Sequence, residues 1–187
     1  MSLESAWLEL SRETESGDIK DGAPAIEMAR KVLDLAGQIS APVPVEKIAR
    51  RLGVQVRYAP FDGDISGMAH IREGVQILGV NNLHHPHRQR FTLAHELGHL
   101  ILHPAELHRQ VHLDKGSLYR DSLSARGTDA FERSANAFAS ELLIPQRLLD
   151  QFVDPRMDLE DDDGVAKLAR KFRVSVAAMH FRLNRAW

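Results

Sequence analysis

The stretch FTLAHELGHLILHP, residues 91–104, decides how this chain is read. Inside it His95-Glu96-Leu97-Gly98-His99 forms an H-E-x-x-H pattern. A helix advances about 1.5 Å and 100° per residue, so positions i and i+4 lie one turn apart on one face. His95 and His99 can therefore hold one metal ion between them, and Glu96 points off that line toward any water attacking beside the ion. Leu93, Leu97, Leu100 and Ile101 fall at i, i+4, i+7 and i+8, which predicts a helix with an apolar stripe. Pro86 suits its first turn, and Pro104 would stop it after His103. Gly98 costs about 1 kcal/mol against alanine inside a helix, which predicts that something packs close to it.

Ten histidines make a chance H-E-x-x-H a real competitor. The amphipathic helix around it is the context that favours a metal site. Composition frames the rest. The chain has 187 residues, enough for one ordinary domain with a small appendage, and its 43% hydrophobic content is that of a water-soluble globular protein. A net charge of −2 gives no global basic field for nucleic acid. The absence of cysteine excludes disulfides and thiolate metal sites. No apolar run spans a membrane and the N-terminus lacks a signal-peptide core, so a cytoplasmic protein is expected.

In order, residues 1–22 read as a polar lead-in and 23–153 as the main domain. Residues 154–187 read as an acidic linker and a C-terminal helical subdomain. Helices are expected at 25–39 and 45–52, then strands at 54–58, 65–71 and 75–80, the last two joined as a hairpin by the Glu73-Gly74 turn. The 75–80 strand, which leads directly into the H-E-x-x-H helix, is expected at the sheet edge, where an extended substrate could add as another strand. Residues 104–127 read as a long loop of the kind that serves as a lid or binding segment. A strong helix follows at 130–143, a short helical piece at 146–152, and two helices at 165–172 and 176–185, with Ser175 capping the last.

A catalytic zinc site usually takes three protein ligands and leaves one position open. An H-E-x-x-H-x-x-G-x-x-H extension is absent, because Leu102 and Ala105 stand where Gly and His would be needed. His103 would put three ligands in a row about 12 Å long, too far for one ion. A carboxylate on another helix remains, and Glu132 is a candidate. By spacing alone, Asp129 and Glu132 equally form a capping box at a helix start.

At this point the chain resembles the ImmA/IrrE family of metallopeptidases. The resemblance rests on Arg90-Phe91-Thr92-Leu93-Ala94-His95-Glu96-Leu97-Gly98-His99 with Leu102-His103, then Glu132-Arg133-Ser134-Ala135-Asn136-Ala137-Phe138-Ala139, then Leu142-Leu143-Ile144-Pro145. It implies an α+β, zincin-like fold in which a small, mostly antiparallel sheet packs on an active-site helix and a glutamate helix, with a helix-turn-helix-like appendage. It implies His95, His99 and Glu132 as metal ligands and Glu96 as the catalytic carboxylate. Zinc suits that set best, with manganese and iron as alternatives. It also implies a substrate: a helix-turn-helix repressor whose cleavage switches on a mobile element, prophage or stress response. The competing reading is a non-hydrolytic antirepressor or toxin–antitoxin component that uses the scaffold only to hold a protein.

Three features stay open. Tyr119, His108 and His112 are candidates for stabilising the oxyanion, though loop residues are more often simply solvated. His84, His85 and His87 read as a solvated cluster before the active helix. The basic C-terminal helices could contact DNA, but a subdomain packed on the protease is the simpler expectation.

Overall fold

The computed structural model describes residues 21–115, 125–153 and 162–185. Its elements are α1 (Gly22–Leu35), α2 (Val45–Arg51), β1 (Gln55–Ala59), β2 (Ile65–Arg72), β3 (Val75–Asn81) and α3 (Pro86–Leu102). They are followed by α4 (Pro104–Arg109), β4 (His112–Lys115), α5 (Ala125–Leu143), α6 (Gln146–Leu149), α7 (Asp162–Phe172) and α8 (Val176–Arg185). The architecture is the expected α+β arrangement. The 1–22 lead-in lies almost wholly outside the described residues.

Helix α3 is the centre of the fold, and every residue from Thr92 to Leu102 is buried. A helix buried all round must be covered on more than one side. The β2–β3 hairpin covers one side and α5 the other, while α1 packs on α5. Gly98 is where α5 comes closest. A methyl group there would sit 3.1 Å from Phe138 Cδ1 and 3.4 Å from the Ala135 Cα. The helix gives up propensity at Gly98 so that two buried helices can approach.

The sheet order is β1-β3-β2-β4, with β1 parallel to β3 and the other two pairings antiparallel. The hairpin turn is as expected: Glu73 and Gly74 both take positive φ, 52° and 78°, the conformation a two-residue type I′ turn requires. The position of β3 is not as expected. It lies inside the sheet, paired with β1 on one side and β2 on the other, so no substrate can add to it. The run Ile77-Leu78-Gly79-Val80 carries the reason: a strand buried on both faces reads as continuous apolar sequence, not as an edge. Residues 104–115 also depart from the expected loop. They form α4, which starts on Pro104, and β4, whose partner is β2.

On the face toward α3, Gly67 of β2 has no room for a side chain. An added Cβ would lie 2.3 Å from Thr92 Cγ2, 3.0 Å from the Gly79 carbonyl oxygen and 3.2 Å from Glu96 Cγ. Overpacking of this kind costs about 1–3 kcal/mol. Gly67→Ala should lower the denaturation midpoint accordingly, and adding Thr92→Ser, which removes the obstructing methyl, should restore part of the loss. An unchanged midpoint in Gly67→Ala would mean that α3 does not lie so tightly on the sheet.

Helix α1 ends at Leu35, four residues before the expected limit. Gly37 (φ 62°) reverses the chain, with Gly37 N–H donating to Asp34 O at 3.0 Å and Gln38 N–H to Leu33 O at 2.9 Å, a Schellman closure. At the other end of the chain, Ser175 Oγ accepts from Ala178 N–H at 3.1 Å, the expected cap of α8. Phe172, Met179 and Leu183 of α7 and α8 belong to the same buried cluster as α1, α3 and α5. The glutamate helix starts at Ala125, so Asp129 lies within it and the capping-box reading of Asp129 and Glu132 fails.

Candidate metal centre

The two histidines of α3 and Glu132 of α5 meet where the helices cross. His95 Nε2 and His99 Nε2 are 3.0 Å apart. Glu132 Oε2 lies 3.3 Å from His95 Nε2, and its Oε1 lies 3.4 Å from His99 Nε2. Two ligands at about 2.0–2.1 Å from one tetrahedral ion stand roughly 3.3–3.4 Å apart. The two separations to Glu132 match that range and the histidine pair is slightly closer, so these atoms can share an ion. His112 of β4 joins the group, with Nε2 3.6 Å from Glu132 Oε1, and the four ligand atoms lie within 4.8 Å of one another.

The protons behind the site fix which nitrogens face it. Ser134 Oγ donates its single proton to Phe131 O at 2.8 Å, so toward His103 Nε2, 3.0 Å away, it can only accept. His103 then carries its proton on Nε2 and offers Nδ1 as acceptor to His99 Nδ1 at 2.9 Å. His99 must therefore be protonated on Nδ1. Burial holds its imidazole well below the ordinary histidine range, so near neutral pH its Nε2 presents a bare lone pair. His95 Nδ1 donates to Asn136 Oδ1 at 3.1 Å, which turns its Nε2 inward in the same way.

The charges agree with a cation. Burial raises the Glu132 carboxyl, but imidazoles of His95 and His99 that face it in protonated form would hold it far below the usual carboxylate range, and a metal cation at the same point would take over that role. Glu96 is fully buried with neither oxygen hydrogen-bonded. Burial first, then the neighbouring Asp114 and Glu132, push its carboxyl well above the ordinary value. Converging lone pairs, an ionised carboxylate and an orphaned acid leave a concentration of negative potential that a divalent cation would satisfy. The donor set of imidazoles and carboxylate suits zinc and admits manganese or iron.

The supporting roles of Asn136 and His103 are not evident from the sequence, which offers His112 only among the oxyanion candidates. Asn136 stands one helical turn after Glu132, and His103 one turn after His99. The i, i+4 relation that pairs His95 with His99 thus also locates their supports. His103 is excluded as a ligand, as its spacing implies, yet it orients one. His112 belongs to an edge strand facing the site, not to a solvated loop, whereas His108 is exposed and Tyr119 lies outside the described residues. His85 accepts from His87 N–H at 3.2 Å and so caps α3. His95, His99, His112 and Glu132 are the metal-competent cluster among the described residues.

Outer partners of metal-bound histidines typically matter 10–100-fold in metal affinity. Asn136→Ala should weaken zinc binding by about that factor in a chelator competition, with the fold retained. Equal affinity would show that Asn136 does not orient His95.

This is an α+β domain built around an H-E-x-x-H helix, with a glutamate from a second helix completing a metal-competent pocket. Consistent with it, the chain belongs to the IrrE N-terminal-like domain family, peptidase M78, whose match covers residues 49–184. Among solved structures, a Mycobacterium tuberculosis transcriptional regulator is similar in fold. It has a TM-score of 0.54 and 18% sequence identity, over 96% of this chain and 51% of that one. The chain thus spans about half the length of that regulator. No curated protein matches this chain at a significant level.

Proposed function

We propose that this protein is a cytoplasmic, metal-dependent endopeptidase that cleaves a helix-turn-helix transcriptional repressor and so relieves repression. The observation that carries the reading is the convergence of His95, His99 and Glu132 beside a buried, unpartnered Glu96. Membership of a peptidase family supports the reaction class. No helix among the described residues is long and apolar enough to cross a membrane.

In this reading His95, His99 and Glu132 hold the ion, zinc being the best match to the set. When bound, the ion supplies Lewis acidity for the carbonyl and for the attacking water. Glu96 takes the proton of that water and passes it to the leaving amine, a role typically worth 10²–10⁴-fold. Burial, then Asp114 and Glu132, raise the Glu96 carboxyl, and a cation nearby lowers it again, so the group that carries the proton is set by opposed influences. The substrate strand would add to β4, which among the described residues pairs only with β2 and runs past the site at His112.

The test is incubation with a helix-turn-helix repressor encoded beside this gene. Cleavage at a defined bond, lost with chelator and restored by zinc, is the expected result. A repressor that stays intact but leaves its operator in the presence of this protein would replace proteolysis by the antirepressor reading.

A further inference from the structure

We infer that His112 is a catalytic hydrogen-bond donor, held on the sheet edge to stabilise the negative charge that develops on the substrate carbonyl oxygen, and is not a fourth metal ligand. The inference rests on the proposed peptidase reaction and assigns it a residue that the family's two sequence motifs do not contain.

Position comes first. His112 lies on β4, opposite Ala69 of β2, on the sheet face that looks onto α3. Its ring is therefore set by strand pairing, from the side of the pocket opposite α5. Its Nε2 is buried and has no hydrogen-bond partner, while the Nδ1 atoms of His95 and His99 are both engaged behind the site. A buried imidazole nitrogen without a partner is costly unless something arrives to meet it. A substrate strand laid on the edge of β4 that is unpaired among the described residues would bring a carbonyl past this atom.

Geometry separates donor from ligand. The rings of His95 and His99 meet edge to face, 74° apart with centroids 4.7 Å apart, so their nitrogens converge on one point. The rings of His112 and His99 are instead stacked at 3.9 Å, only 30° from parallel. The in-plane lone pairs of two rings stacked this way lie in nearly parallel planes, so they do not converge on one ion as those of His95 and His99 do. The other three atoms stand 3.0–3.4 Å apart, and His112 Nε2 is 3.6 Å from Glu132 Oε1, so the ring orientation and not the distance separates it from them. With its lone pair turned off the point that the other three share, His112 is set as a fixed donor beside the metal position, where an oxyanion is stabilised without reorganisation. The bond made is a hydrogen bond, and no proton need be transferred.

The test compares His112→Ala and His112→Gln with wild type and Glu96→Gln. Each is loaded with zinc and assayed on the best-cleaved member of a quenched-fluorescence peptide library. Zinc affinity is measured separately by chelator competition, and the visible spectrum of the cobalt-substituted protein reports coordination. For His112→Ala the expected result is a fall in kcat of about 10²–10³-fold, with KM, zinc affinity and the cobalt spectrum little changed. His112→Gln, which keeps an N–H at similar reach, should recover part of the rate. A tenfold or greater loss of zinc affinity, or an altered cobalt spectrum, would make His112 a ligand and overturn the inference. An unchanged kcat in His112→Ala, while wild type cleaves and Glu96→Gln does not, would overturn it and leave the peptidase reading standing. Absence of zinc-dependent cleavage in the wild type would overturn both.

Discussion

Glu96→Gln is expected to keep the fold and the metal and to lose peptide cleavage by at least about 10²-fold. Three observations make this a clean substitution. Glu96 is not among the atoms that converge on the metal position. Neither of its oxygens accepts a hydrogen bond in the protein, so an amide there breaks none. Its neighbours Asp114 and Glu132 are both acidic, and removing a carboxyl between them relieves repulsion. What the glutamine cannot do is accept a proton from water and release it to an amine.

The same substitution has a signed effect on stability in the metal-free protein. A carboxyl whose folded pKa is raised binds its proton more tightly folded than unfolded. Its cost to stability is absent below the unfolded value and grows as pH rises toward the folded one. Metal-free Glu96→Gln should therefore be more stable than metal-free wild type at neutral pH, with the gap closing on acidification. Thermal melts in chelator at pH 5 and pH 7.5 measure it, and a gap that widens toward low pH would contradict the buried, charge-crowded placement of Glu96. In cells, equal relief of repression by Glu96→Gln and wild type would show that binding, not cleavage, displaces the repressor.

The sequence disclosed the helix and its pair of histidines because both follow from local periodicity. The i, i+4 spacing, the leucine stripe and the flanking prolines act within one element, and α3 forms where they place it. Glu132 was less legible. Asp129 and Glu132 fit a cap as well as a ligand, and only the start of α5 at Ala125 separates the two. β4 was not legible at all. His112-Leu113-Asp114-Lys115 has no apolar alternation, and it is a strand because β2 offers it an edge to pair with. A non-local pairing leaves little trace in the segment that is recruited. The misplaced β3 is a different failure. Its continuous apolar run signals a central strand, whereas its place directly before the H-E-x-x-H helix suggests an edge beside the site.

The C-terminal helices share the hydrophobic core of the domain and are also fastened to it through a buried acid, and breaking that polar tie should have the largest effect on stability. Glu141 of α5 is buried, with Arg182 of α8 paired to its Oε2 and Arg30 of α1 donating to its Oε1 at 3.1 Å. Gln146 N–H donates to the same Oε1 at 3.3 Å, and Arg182 Nε donates to Ile144 O at 3.1 Å. One carboxylate thus joins the first helix, the glutamate helix and the last helix. Arg30 is half exposed and contributes little as an ion pair. Arg182 is nearly covered, so it supplies most of the compensation for the buried charge. Arg182→Leu leaves Glu141 short of its main partner and frees the Ile144 carbonyl. Loss of one member of a buried pair costs about 3–5 kcal/mol, which for a chain of this size corresponds to a fall of roughly 10 °C in Tm. The double variant Arg182→Leu, Glu141→Leu should recover much of that, because the uncompensated charge is gone. Because α5 also carries Glu132, the single variant should bind zinc more weakly as well, while Arg182→Lys should retain more of both properties. A Tm within a degree or two of wild type in Arg182→Leu would mean that α8 is not fastened to α5 through Glu141.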